Sequence, residues 1–311
     1  MLAVMGGWRS QDDTILREAY RPEFGSGVAP ASGKGSGGTR VTITGGNLGD
    51  GVDITDVSLC DESAAEIVSQ SATQVVVVSA PGPFTLGDVC VKSTSHGKTM
   101  GFNLFSYNPF ITAWAAGQGT ISPSGDVEVT YGSNAAFTAS AESYYHITSL
   151  LTNGAADGAA TGRAAYTSRW QNVMADGTVA VSFAENMAPL GTPEWWLARY
   201  GWTNDFGWWE TNDTDGDRFF AWEERMADTD PTDSGSCFRV TGMNRADSFV
   251  VGVACTNTRI YGLGCTTNLI QGAWWPVAGQ TGIPGEADGF MELVDPTNAG
   301  SRSYRATVEP P

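Results

Sequence analysis

The chain has 311 residues, enough for two or three domains and more than one core. Only 16% are charged and 39 are glycine, which suits many short strands and turns better than a helical protein. The formal net charge of −17 repels nucleic-acid phosphates and anionic membranes, so neither is an expected partner, whereas it attracts cations.

The opening "MLAVMGGWRSQDD" lacks the basic start and the long apolar run of a secretion signal. Within it, "LAVMGGW" reads as the end of a buried strand followed by a glycine turn. No stretch approaches the roughly 18 apolar residues of a membrane span, so no membrane insertion is expected. The favoured reading is a fragment of a longer chain whose front is missing, working outside the cell or on a bacterial surface. Residues 18–38 are rich in Gly, Pro and Ser and read as a linker, which makes 1–37 an N-terminal remnant.

From residue 38 the pattern changes. In "GTRVTITGGNLGDG", Val41 and Ile43 alternate with Thr42 and Thr44, the mark of a half-buried strand. The Gly-Gly-Asn run then supplies a tight turn. Strand-length runs follow in "ITDVSLC", "AEIVSQ", "TQVVVVSA", "GDVCVKS" and "FNLFSY", which together suggest a small β-sandwich. Residues 38–109 resemble the IPT/TIG family, through Gly38-Thr39, the alternating strand, Gly45, Asn47-Leu48-Gly49 and the closing "FNLFSYNP". The resemblance implies an immunoglobulin-like sandwich that serves as spacer or interaction module, without catalysis.

Five cysteines, Cys60, Cys90, Cys237, Cys255 and Cys265, form neither a C-x-x-C pair nor a zinc spacing. A disulfide between Cys60 and Cys90 and a pair of buried thiols both suit their positions on adjacent runs.

Residues 110–185 keep the β character, with short strands broken by Ser-Gly and Gly-Ser. They resemble a divergent internalin-type B-repeat in Gly119-Thr120-Ile121, Pro123, Tyr131-Gly132, Phe137, "YYHI" and "TVAVSF". That resemblance implies a stalk or adhesion element.

Residues 186–236 differ. "TPEWWLARYG" carries helix signals at both ends: Thr192 as N-cap, Pro193 at the first helical position, and Gly201 just past the end. A second short helix is expected over about 220–227. Between them lies "TNDTDGDRFFAWEE". An EF-hand loop places oxygen ligands at positions 1, 3, 5, 7 and 12, the seventh through a backbone carbonyl. Here those positions are Asp213, Asp215, Asp217, Phe219 and Glu224. This resembles an EF-hand or thrombospondin-type-3 calcium module. Calcium suits the set because it is hard, large and tolerant of seven oxygens. Arg218 stands where such loops carry glycine; a left-handed conformation there costs a non-glycine residue about 1 kcal/mol, which predicts a weaker site. Phe220, at position 8, is expected to anchor the loop in the core. Asp228, Asp230 and Asp233 are explained by turns that end the helix.

Six tryptophans, Trp195, Trp196, Trp202, Trp208, Trp209 and Trp222, lie in the same module. They offer either a stacking surface for sugars or the core of a small module, and the shortage of buried area in small domains favours core. From Cys237 the chain returns to strands over 237–311, with a hairpin expected at Thr256-Asn257-Thr258. "RIYGLGCTTNLIQGAWWPV" and "SYRATVEPP" resemble the β-module that closes many modular bacterial surface proteins.

The two histidines, His96 and His146, sit near no nucleophile motif, and no G-x-S-x-G, H-E-x-x-H or P-loop occurs. The expectation is a mainly β chain of tandem small β-domains, with an immunoglobulin-like sandwich first and one short helical calcium module. Its role would be non-catalytic: a calcium-stabilised stalk, adhesion or binding segment whose partner is a glycan or another cell-surface protein. The alternative is a set of glycan-binding accessory modules of a secreted carbohydrate-active enzyme.

Overall fold

The computed structural model describes residues 27–245, 248–270, 272–287, 289–297 and 301–311. The strand-end reading at "LAVMGGW" lies outside them. The chain is mainly β, with three short helices among the described residues. Residues up to Ala184 belong to one compact unit and those from Glu185 to another.

The first unit begins with a sandwich. One sheet has the order β1 (Gly27–Ala29), β3 (Arg40–Thr44), β7 (Gln74–Val78), β6 (Glu66–Gln70). The other runs β2 (Ser32–Lys34), β9 (Gly97–Asn108), β8 (Thr85–Ser93), β4 (Ile54–Leu59), β5 (Glu62–Ser63). Alternation does what the sequence predicts: Val41 and Ile43 are fully buried while Thr42 and Thr44 stay half-buried. They meet Val57, Leu59, Val75, Val77, Val89, Val91, Phe105 and Tyr107 in one cluster. Asn47 turns the chain with φ +58°, a left-handed conformation that asparagine tolerates well.

One expectation is corrected here, and of the two alternatives for Cys60 and Cys90 the buried thiols are the one present. The Gly/Pro/Ser-rich stretch read as a linker contributes β1 and β2: β1 pairs antiparallel with β3, and β2 pairs parallel with β9. Composition describes flexibility in a free chain, but two long strands offer this segment unpaired edges. Cys60 and Cys90 are separate buried thiols. Cys60 joins the core, and its Sγ donates to the Phe105 carbonyl at 3.3 Å. Val89 and Val91 point into that core, so strand alternation turns Cys90 to the opposite face, across from Ser58. Burial pushes the Cys60 thiol up to about 11, which leaves it unreactive.

The chain enters its next β-domain directly through Asn108 and Pro109. One sheet runs β12 (Gly125–Glu128), β10 (Phe110–Ala116), β17 (Gly177–Glu185), β14 (Tyr145–Thr152), β15 (Ala155–Ala156). The other runs β11 (Gly119–Ser122), β13 (Ala135–Ala141), β16 (Ala165–Trp170). β10 and β17 pair in parallel, with Ala113 opposite Val179. Phe137, Ile147, Leu150, Val179 and Val181 fill the core. Lys34 of the first sandwich reaches Asp126 at 2.9 Å and lies over the Phe110 ring.

The second unit opens with α1 (Glu194–Arg199), α2 (Phe206–Glu210) and α3 (Ala221–Ala227). Pro193, not Thr192, is the N-cap of α1, and Gly201 with φ +88° follows its C-cap Tyr200 as expected. After the helices come two sheets: β18 (Val240–Arg245), β19 (Phe249–Ala254), β23 (Phe290–Asp295), and β20 (Ile260–Thr266) with β21 (Trp275–Pro276), β22 (Ile283–Pro284) and β24 (Ser303–Glu309). The hairpin expected at 256–258 does not form, because β19 pairs with β18 and β23 while β20 pairs in the other sheet. Val251 and Val253 of β19 share a core with Tyr261 and Leu263 of β20, so the connection spans the two sheets instead of joining neighbours. The Tyr261 hydroxyl accepts the Thr256 N–H at 2.8 Å and holds that crossing.

Candidate metal centre

The loop between α2 and α3 wraps its own carboxylates. Asp213 accepts the N–H groups of Gly216 (2.8 Å) and Arg218 (3.1 Å). Asp215 accepts the N–H of Asp217 (3.1 Å), and Asp217 that of Phe219 (2.8 Å). The Ala221 N–H closes the loop on the Asn212 carbonyl at 3.3 Å. Arg218 has φ +81°, so the sixth position takes the left-handed conformation that the spacing demands, without glycine. Gly216 has φ +83°.

This winding brings one oxygen from each of Asp213, Asp215 and Asp217 within 4.8 Å of the others. A calcium ion bonds oxygen at about 2.3–2.6 Å, so one ion can touch oxygens separated by up to about 5 Å. Asp215 Oδ2 and Asp217 Oδ2 are buried and have no hydrogen-bond partner among the described residues. Buried carboxylate oxygens without donors are costly, and a cation relieves them. Burial, reinforced by the charges of Asp217 and Asp213, pushes the Asp215 carboxyl up. These residues therefore fit calcium.

Glu224 lies on α3 and is 1% exposed. Its Oε1 accepts the Thr229 hydroxyl at 3.3 Å. Burial first, then the charges of Asp217 and Asp215, pushes its carboxyl up to about 8. It stands outside the three-oxygen group but within its field. Phe219 is half-buried on the same turn.

Phe220 does not anchor the loop. It is 43% exposed and caps α3 with extended backbone, its N–H donating to Glu223 Oε2 at 2.9 Å. The next residue, Ala221, is the one packed against Ala188, Trp196, Leu197 and Trp202. The turns expected after α3 are present: Asp230 accepts from Thr232, and Asp233 from Gly235.

The tryptophans divide. Trp196 and Trp202 are core, with Trp195 and Trp209 packed against them. Trp209 stacks flat on Trp202 at 4.8 Å, and Trp208 meets Trp209 edge-on at 4.6 Å. Trp208 itself is 58% exposed. Two residues were not foreseen from the sequence. Glu210 is fully buried three positions before the loop; its Oε1 accepts the Leu190 N–H at 2.9 Å, and its Oε2 has no partner among the described residues. Arg259, from the strand-rich part of the unit, donates to carbonyls of α3. Neither belongs to a spacing pattern, so no local signal marks them.

Residues 25–107 match the family model for the IPT/TIG domain, so the first sandwich is such a domain. That match covers about a quarter of the chain. No curated protein matches it. Among solved structures, the I9–I11 tandem from titin shares 8% identity over 89% of this chain and 92% of that one, with a TM-score of 0.20. SGBP-B from a xyloglucan utilization locus of Bacteroides uniformis shares 12% over 91% and 92%, with a TM-score of 0.19. The extracellular region of plexin A4 shares 10% over 88% of this chain and only 21% of that one, with a TM-score of 0.21. Agreement this slight assigns neither ligand nor partner.

Proposed function

We propose that the chain is a non-catalytic, calcium-stabilised segment of a modular secreted or cell-surface protein, acting as a stalk or an adhesion and binding element. In this reading the IPT/TIG sandwich and the B-repeat-like domain are spacers or docking modules. The helical module carries the calcium, and residues 237–311 close the array. The observation that carries the calcium part is the pair of buried, unpartnered oxygens on Asp215 and Asp217, wound together with Asp213 and followed by buried Glu224. Calcium would be held by Asp213, Asp215, Asp217, the Phe219 carbonyl and Glu224. It would supply charge neutralisation, which closes the loop, and no chemical step. Millimolar calcium outside cells suits a site strained at Arg218.

The test is calorimetric titration of the whole chain with calcium. Saturable uptake that disappears in Asp215→Asn supports the reading. No uptake at several millimolar calcium contradicts it.

A second reading, glycan-binding accessory modules of a secreted enzyme, is favoured by one observation. Trp208 presents an exposed ring braced by the Trp209–Trp202 stack, beside Asn204 and Asp205 in an open hollow of about 640 Å³. A rigid aromatic face with polar neighbours suits a sugar ring. A screen against neutral β-glucans, repeated with Trp208→Ala, decides it.

A further inference from the structure

Arg259 precedes β20, yet its side chain serves α3. Nε donates to the Met226 carbonyl at 2.7 Å and Nη2 to the Arg225 carbonyl at 2.8 Å. Nη1 donates to the carbonyl of Thr258 at 2.9 Å. Asp228 Oδ1 lies 3.7 Å from Nη2, and Asp228 Oδ2 accepts the Thr258 hydroxyl. The Arg259 side chain is 7% exposed.

The last carbonyls of any helix lack partners within it and carry partial negative charge. A guanidinium, with five donors and a fixed positive charge, satisfies both conditions. Arg259 therefore completes the C-terminal end of α3, and the carbonyls it holds, those of Arg225 and Met226, follow Glu224, the final acidic position of the loop, by one and two residues.

α3 has seven residues, just under two turns. A helix that short does not persist alone in water, so its geometry depends on what holds each end. The acidic loop holds the front and Arg259 holds the back.

We propose that Arg259 couples the calcium loop to the C-terminal β-module: calcium in the loop tightens the seat of Arg259 on α3, and a seated Arg259 raises calcium affinity. The proposal rests on the calcium reading above. Each event orders the same short helix, so whichever comes second loses less conformational entropy. Linkage makes the two effects equal in size. Arg259 is a positioning residue here; it touches no ligand.

The experiment is calcium titration of the full chain, wild type against Arg259→Gln and Arg259→Lys. Arg259→Gln should weaken calcium binding about 5–20-fold. Arg259→Lys should fall between, since a point charge cannot bridge two carbonyls as a planar fork does. In parallel, amide hydrogen exchange of the wild type, with and without calcium, should slow over 213–228 and also over 256–262. A folded Arg259→Gln that binds calcium as the wild type does would overturn the proposal, as would protection confined to the loop and α3. If Arg259→Gln loses its native near-ultraviolet dichroism, the exchange result on the wild type decides. Wild type that takes up no calcium overturns the calcium reading and this proposal together, a result distinct from wild type and variant binding alike.

Discussion

The first sandwich and the helical module are both small, but they bury different things. The sandwich gathers thirteen buried apolar side chains, from Val41 to Tyr107. The helical module gathers five, Ala188, Trp196, Leu197, Trp202 and Ala221, and it also encloses Glu210 and Glu224. A sandwich with its own apolar core needs nothing from outside. A module of helices with six, five and seven residues has a small apolar core, and the carboxylates it encloses are costly as charges. Under the proposed calcium reading, the difference puts the dependence on solution conditions in the segment where apolar burial runs short.

The sharpest way to break the comparison is to damage an apolar core. Phe137→Ala, in the second β-domain of the first unit, should destabilise that unit by about 3–5 kcal/mol. The loss, followed by denaturant melts, should be the same in calcium and in chelator. A calcium-dependent loss there would erase the distinction.

Next in size is Glu224→Gln. It should abolish the calcium-induced rise in the melting temperature of the second unit, worth about 1–3 kcal/mol when calcium exceeds the dissociation constant ten- to a hundredfold. In chelator at pH 8 the same variant should melt higher than wild type, because a buried charge beside Asp215 and Asp217 is gone. Thermal melts in both buffers check the two opposite signs.

The pH dependence sharpens the point without mutation. The carboxyl of Glu224 is raised from 4.5 to about 8, so folding favours its protonated form. Its contribution without calcium is full below about pH 4.5 and is lost as pH rises through 8. In the proposed site the carboxylate would be the ligand, so calcium affinity should climb over the same window. Melting temperatures from pH 5 to 8.5 in chelator, and calcium titrations across that range, test both directions.

The smallest effect belongs to Arg218→Gly. Relief of φ +81° should stabilise the loop by about 1 kcal/mol and tighten calcium binding by at most about fivefold. Titration calorimetry reads it directly.

What the sequence disclosed was local. Alternation at 41–44 fixed which side chains face inward, and the spacing of Asp213, Asp215 and Asp217 placed the loop with Arg218 left-handed. α2 was missed because Gly207, Trp208 and Trp209 are weak helix formers and Asp205, at φ +48°, gives no side-chain cap. The hairpin at 256–258 was misread because periodicity reports that β19 and β20 are buried, not which strands they pair with. Likewise Cys90 lies on β8 and Cys60 in the turn after β4, and only that turn, with φ +52° at Cys60, brings its thiol into the core that Cys90 faces away from. Arg259 reaches α3 from more than thirty residues away, which no spacing rule detects.

The measurement closest to the central claim is differential scanning of the whole chain in several millimolar calcium and in chelator. The account predicts that calcium raises the transition of the second unit and leaves the first unit's transition unmoved. Superimposable traces in the two buffers would contradict it.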